Sequence, residues 1–224
     1  HPEFTIYALE HGLHAISEKP AGVYTKQVRE MNEAAARSDK TFAIMFNQRT
    51  NCVYRKLHEM ISSGELGAMK RLNWIITDGE MGAIRRTNWI ITNWYRTQSY
   101  YDAADWKATW DGEGGGVLLN QCPHQLDLLQ WLCGLPVKVR AFCHEAKWHN
   151  IEVEDDVTAY MEFENGATGV FVTSTADAPG TNRLELTFEM GKVICEHGRL
   201  TFYKLSENER PFCMNEKEGF KTPD

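Results

Sequence analysis

The sequence predicts an α/β (α+β) chain, a short parallel helix–strand unit followed by a larger region built on an antiparallel sheet. Three observations carry this. Residues 2–46 alternate helix-like and strand-like segments, the cadence of a parallel α/β unit. Strand-like segments then follow at about 69–77, 83–94, 136–146, 155–164, 167–175, 182–189 and 199–204, interrupted by one long helix at about 115–133. Finally, Asn165-Gly166 between two of these segments is a tight-hairpin signal.

Taken in order, residues 2–12 read as a helix ending at Gly12, followed by the apolar strand Leu13-His14-Ala15-Ile16. Thr25 is placed to cap a helix carrying Val28, Met31 and Ala35 on one face. Phe42-Ala43-Ile44-Met45-Phe46 is a continuous apolar run, as expected of a strand buried on both sides. Two buried strands are too few for a parallel sheet, so the reading expects the chain to start within a domain. A helix near 51–63 precedes the strand-rich region, which reads as an antiparallel sheet with one face covered by helix. At its start, Gly64–Thr77 is almost repeated by Gly79–Thr92. The offset is too short for a solenoid unit, and an extra edge hairpin or a looped-out copy accommodates it.

The chain has 224 residues, 42% hydrophobic and 25% charged, ordinary values for a globular protein with a sizeable core. Its formal charge of −7 and the lack of a Lys/Arg cluster argue against nucleic acid and anionic membranes as partners. No apolar run approaches the roughly 20 residues that span a bilayer, and His1-Pro2-Glu3-Phe4 does not read as a signal peptide. The six cysteines are scattered without a C-x-x-C pair, which reads as reduced thiols and a cytoplasmic setting. His144-Glu145-Ala146-Lys147-Trp148-His149 is one residue too long for H-E-x-x-H, so these read as solvated loop histidines and no metal site is assigned.

Two stretches carry chemistry. Glu18-Lys19-Pro20 closes a predicted strand. The segment Gly114 to Asp127 begins with three glycines and sets Asn120, His124 and Asp127 at i, i+4 and i+7, one face of a helix. A lysine at a strand end and a histidine on a helix face suit proton transfer to or from a substrate hydroxyl.

These residues, with the Asn47-Gln48-Arg49 turn, Ser63-Gly64-Glu65-Leu66-Gly67 and Glu154-Asp155-Asp156 followed by Asn165-Gly166, resemble the Gfo/Idh/MocA family of NAD(P)-dependent oxidoreductases. They occur in family order across nearly the whole chain. The resemblance implies an incomplete Rossmann-like half over residues 1–50, followed over 51–224 by an α/β substrate and oligomerisation domain with a large, mostly antiparallel open sheet. It implies NAD or NADP as cofactor, a sugar or polyol as substrate, and homo-oligomers formed through the sheet face. By the same resemblance Glu18, Lys19, Pro20 and Asn47 lie on the cofactor side, His124 is the acid/base, and Arg49 is a pocket residue.

The sequence departs from the family twice. The motif usually has an aspartate four residues before the histidine, where this chain has Asn120. An amide can orient an imidazole but cannot stabilise an imidazolium by charge. The proton acceptor is then His124, oriented by Asn120, or Lys19. Pro123 should kink the helix or restart it at His124. The second departure is the missing G-x-G-x-x-G fingerprint, so the first half of the dinucleotide-binding domain is expected to be absent.

Between the repeat and the glycines, Asn93-Trp94-Tyr95-Arg96 leads through Tyr100-Tyr101 to Trp106-Lys107 and Trp110. Aromatic faces with interspersed cations suit sugar rings and hydroxyls, while an aromatic loop packed on the sheet reads equally well. Because the loop runs into the histidine helix, Tyr95, Arg96, Trp106 and Lys107 are assigned to substrate, together with Asp127. Glu154-Asp155-Asp156 reads as a strand end at the surface. The expected activity, which belongs to the full-length parent of this fragment, is hydride transfer between NAD(P) and a hydroxyl carbon of a sugar or polyol. The alternatives are an NAD-dependent glycosidase of the same family or an inactive sugar-binding or assembly module.

Overall fold

The computed structural model describes residues 1–62 and 82–223. Helix α1 (Pro2–Glu10) starts with Pro2 in its first turn, where a missing N–H costs nothing, and the chain reverses at Gly12 with φ +74°. Strand β1 (Ala15–Glu18) lies two residues further on than the apolar pattern placed it, and helix α2 (Thr25–Arg37) follows. The N-cap of α2 is Tyr24, not Thr25, and Gln27 Oε1 accepts from the main-chain N–H groups of Val23 and Tyr24. Strand β2 (Phe42–Met45) pairs in parallel with β1. Leu9, Ala15 and Ala34 form a small core on one side of this pair. The expectation that β2 is buried on both sides fails, because its residues alternate between half-buried and exposed and Ile16 of β1 is 71% exposed.

A 3₁₀ turn (Asn47–Thr50) and helix α3 (Cys52–Ser62) lead to the larger sheet. Its strands are β3 (Ile84–Ile91), β4 (Lys138–Glu145), β5 (Glu154–Glu162), β6 (Thr168–Ser174), β7 (Asn182–Phe188), β8 (Gly191–Glu196) and β9 (Arg199–Lys204). They lie in the order β4-β5-β6-β3-β7-β8-β9. Every pairing is antiparallel except β3 with β6. Asn165 holds the β5–β6 hairpin, its Oδ1 accepting from Ala167 N–H and its Nδ2 donating to the Ile84 carbonyl. The first copy of the repeat, with residues 79–81 of the second, lies outside the described residues, while Ile84–Ile91 of the second copy forms the central strand and not an edge hairpin.

The predicted long helix is two helices, α5 (Val117–Asn120) and α6 (Pro123–Cys133). Pro123 has no N–H to continue α5, so it opens α6 as the first residue of a new helix. Buried residues of α3 (Tyr54, Leu57) and α6 (Leu128, Leu129, Leu132) pack on Trp89, Val157, Phe171, Leu184 and Leu186 of the sheet. The opposite face presents Phe142, Tyr160, Ile90 and Tyr203 to solvent beside the Arg183–Glu185–Lys192–Glu196 ion-pair network. Two further short helices are α4 (Gln98–Tyr101) and α7 (Glu209–Asn215).

Candidate active site

The parallel pair β1–β2 aims its C-terminal ends at the start of α6, and Lys19 follows directly on Glu18. A ligand site at the carboxyl ends of parallel strands is what α/β sheets provide. Lys19 Nζ donates to the main-chain carbonyl of Asn120 at 2.9 Å, so the strand-end lysine and the glycine-led segment meet. The glycines permit that approach. A Cβ on Gly114 would stand 1.9 Å from Val23 Cγ1, and one on Gly116 would stand 1.9 Å from the Glu154 carbonyl oxygen.

His124 occupies the second position of α6, edge-on to Phe46 with ring centroids 6.2 Å apart. Its Nδ1 is buried without a hydrogen-bond partner among the described residues. Burial first, and then the charge of Lys19, push its pKa below the usual histidine value, against a smaller opposing pull from Asp127. The shift favours the neutral ring, which has a lone pair to offer. Asn120 does not orient it: the break at Pro123 puts the two residues on separate helices, and Asn120 Nδ2 donates to Glu113 Oε1 instead.

Arg49 and Asp127 meet in a two-pronged ion pair, Nε to Oδ2 at 2.8 Å and the terminal nitrogen to Oδ1 at 2.7 Å. Asp127 holds the guanidinium above its already high pKa, and Arg49 also lies over the Trp131 ring at 5.4 Å. This joins the turn after β2 to the same face of α6 that carries His124. Asn47, at the start of that turn, is exposed, and its carbonyl accepts from the Thr50 hydroxyl. A cleft of about 520 Å³ lies beyond Arg49 and Trp131, lined also by Cys133, Phe163 and Asn165, and includes neither Lys19 nor His124.

The aromatic segment divides. Arg96 and Lys107 both stand against Tyr100, at 4.9 and 4.3 Å from its ring centre, and Lys107 also donates to the Tyr100 carbonyl. Tyr95 and Trp106 are exposed. No hydrogen bond or ring contact joins these four to Lys19 or His124 among the described residues. They connect through the chain Ala108 N–H to Glu113 Oε2 at 2.6 Å, and Glu113 Oε1 to Asn120.

Glu154 and Asp155 are buried, which corrects the expected surface strand end. The Glu154 carboxylate accepts from the main-chain N–H of Gly116 and Leu118 at 2.9 and 3.0 Å, the orphan donors at the start of α5. Asp155 accepts from the N–H groups of Lys147, Trp148 and His149 and from His149 Nδ1. His149 is therefore no solvated loop residue. Its Nε2 reaches the Arg96 carbonyl at 3.1 Å and ties the aromatic segment to β5. Glu113 and Asp155 were not singled out from the sequence as site residues. A carboxylate one step before a glycine run is the only signal Glu113 gives there.

Residues 69–194, more than half of the chain, match the GFO/IDH/MocA C-terminal domain. The chain belongs to the GFO/IDH/MocA family. Within that family it is 26% identical over 193 residues to the D-glucoside 3-dehydrogenase of Escherichia coli strain K12, a match covering 79% of this chain and 49% of the relative. The WlbA dehydrogenase of Chromobacterium violaceum, solved with NADH and UDP-GlcNAcA, superposes with a TM-score of 0.76 at 28% identity, over 92% of this chain and 56% of that one. The WlbA dehydrogenase of Bordetella pertussis, with the same two ligands, gives 0.77 at 25% identity, over 96% and 62%. The chain spans half or less of the length of the curated relatives it matches, from 22% to 50%.

Proposed function

We propose that this chain carries the proton-handling half of an NAD(P)-dependent sugar or polyol oxidoreductase, with Lys19 and His124 as its catalytic residues. The observation that supports this most directly is the meeting of the β1-end lysine with the start of the histidine helix, through Lys19 Nζ and the Asn120 carbonyl. The relatives named above act, by their names, on a glucoside or were solved with a sugar nucleotide and NADH.

The residues present fit the nicotinamide end of the cofactor. Lys19 stands at the carboxyl end of a parallel strand, and the buried, unpartnered Nδ1 of His124 beside it is a polar atom in want of a ligand. Glu18, Pro20 and Asn47 belong to the same strand ends and are assigned to that side. The nicotinamide, when bound, supplies the hydride acceptor or donor. Everything else falls to the chain. Neutral His124 takes the hydroxyl proton as the carbinol is oxidised and returns it in reduction. Lys19 spends one N–H on Asn120 and keeps two for the reacting oxygen, where its charge stabilises the developing alkoxide. Arg49 and Asp127 hold each other, so their part in substrate binding is to rim the pocket as a fixed pair. Tyr95, Arg96, Trp106 and Lys107 form the outer, sugar-facing wall.

Six free cysteines agree with a reducing cytoplasm, and no described helix is long and apolar enough to cross a membrane. The solvent-facing side of the large sheet, with Tyr160 and Ile90 exposed, is the face for pairing with a second copy.

The test is turnover. The full-length protein that contains this chain is incubated with NAD or NADP and a panel of glycosides, sugar nucleotides and polyols, and reduced nicotinamide is followed by absorbance. Activity should appear with at least one substrate, and His124→Ala should lower kcat by about 10²- to 10⁴-fold. Unchanged turnover in His124→Ala removes it from the mechanism. Glycoside hydrolysis without accumulation of reduced cofactor would replace the dehydrogenase reading with the glycosidase one.

A further inference from the structure

We propose that Glu113 is a positioning residue of this site, whose carboxylate fixes the Asn120 amide and, through it, the main-chain carbonyl that anchors Lys19. The inference rests on the Lys19–His124 reading above and adds a residue to it. Four observations lead there. Glu113 Oε1 accepts from Asn120 Nδ2, and Lys19 Nζ donates to the carbonyl of the same Asn120. Glu113 Oε2 accepts from the Ala108 N–H at 2.6 Å. Ala108 is fully buried with φ +51°, a backbone state that an alanine adopts only when its surroundings impose it. And α5, on which Asn120 is the last residue, has a single turn, too short to hold that residue in place by its own hydrogen bonds.

The chemistry settles the orientation of the amide. A carboxylate only accepts, so the group of Asn120 facing Glu113 is the NH₂, and its Oδ1 is left as an acceptor. With Glu113 removed the amide is free to turn over, and the last turn of α5 loses its tie to the aromatic segment. The Asn120 carbonyl would then drift, and Lys19 with it. Displacements of about 1 Å at such a point cost on the order of 10²-fold in rate. A carboxylate absent at position 120 is thus supplied from position 113, acting through the amide and not on the imidazole.

The pairing predicts a polarity swap. In Glu113→Gln the second carboxylate oxygen is lost, so one of the Asn120 and Ala108 donors goes unmet. In Asn120→Asp two carboxylates face each other. In the double variant, E113Q with N120D, the new amide donates to the new carboxylate and its oxygen still accepts from Ala108. Each single variant should lose about tenfold or more in kcat with the cofactor KM little changed, and the double variant should recover most of it. A second readout needs no turnover. The side-chain NH₂ of Asn120, assigned by its disappearance in Asn120→Asp, should be displaced from free asparagine amides in the ¹⁵N–¹H spectrum, and Glu113→Gln should return it toward them. Wild-type kcat and an unmoved amide signal in Glu113→Gln overturn the proposal, as does a double variant no better than the worse single one. If Glu113→Gln does not fold, a folded double variant supports the pair and an unfolded one overturns it. Should the full-length wild-type protein turn over no sugar, the oxidoreductase reading fails, while the amide signal still decides whether Glu113 holds Asn120.

Discussion

His124 and the cysteines show how burial sets chemistry one residue at a time. The His124 pKa lies below the ordinary histidine value of 6.5, so the folded state takes up its proton only at a pH where the unfolded chain already has one. Its contribution to stability is therefore complete above the unfolded value and is lost as pH falls from there through the lower folded one. If His124 is the base of the proposed oxidation, the same shift places the acid limb of the full-length protein's pH–rate profile below pH 6.5, and a limb at or above 6.5 would contradict that role. Burial also drives the Cys122 thiol up to about 12, and those of Cys133 and Cys195 to about 11. A thiol reagent at neutral pH should accordingly titrate the exposed Cys52, Cys143 and Cys213 in the folded protein and reach the buried Cys122 and Cys195 only after denaturation. At this scale the sequence was readable where two motifs meet, as in the contact of Lys19 Nζ with the Asn120 carbonyl. It was silent where function depends on a partner chosen in three dimensions. Glu113 is seven residues from Asn120, and nothing in that spacing says that a glycine-rich bend will bring them into contact.

Among the elements, α5 depends on a side chain that is not its own. Its first donors are met by Glu154 from β5, and Gly116 lies so close to that strand that a methyl group would meet the Glu154 carbonyl. Gly116→Ala should cost about 2 kcal/mol or more, an overpacking against backbone that cannot move aside. Gly166→Ala, with φ +83° but open space around it, should cost only about 1 kcal/mol of backbone strain. Thermal melts of the two variants give the comparison, and equal losses would mean that α5 can shift to make room. The elements themselves were mostly legible. Every described strand of the large sheet overlaps a segment read from the sequence except β8, whose apolar run Val193-Ile194-Cys195 is only three residues long and sits between two other strands. The helix at 115–133 was read as one because its apolar spacing continues through Pro123, and spacing alone does not register a lost N–H. Buried Glu154 and Asp155 were read as surface residues because charge usually means exposure; here each carboxylate is solvated by main-chain N–H groups instead of water.

For the whole molecule, the large sheet has one face filled by α3 and α6 and the other lined with Phe142, Tyr160, Ile90 and Tyr203. If that second face pairs with another copy, Ile90→Lys with Tyr160→Lys should shift the protein to a monomer by light scattering, with the circular dichroism spectrum unchanged. A wild-type protein that is already monomeric at high concentration would count against the pairing. The central position of β3 has a consequence for how the chain is made. Its partners are β6 and β7, so Arg86 waits for Thr168 and Thr187, some eighty to a hundred residues later in the chain. At synthesis rates of about 5–20 residues per second, β3 leaves the ribosome roughly 4–16 s before the first of them exists. Through that interval Trp89 and Ile91, both fully buried at the end, are wet and unpaired. The strand that finally joins the two halves of the sheet is therefore the one most in need of a chaperone while the chain is still growing.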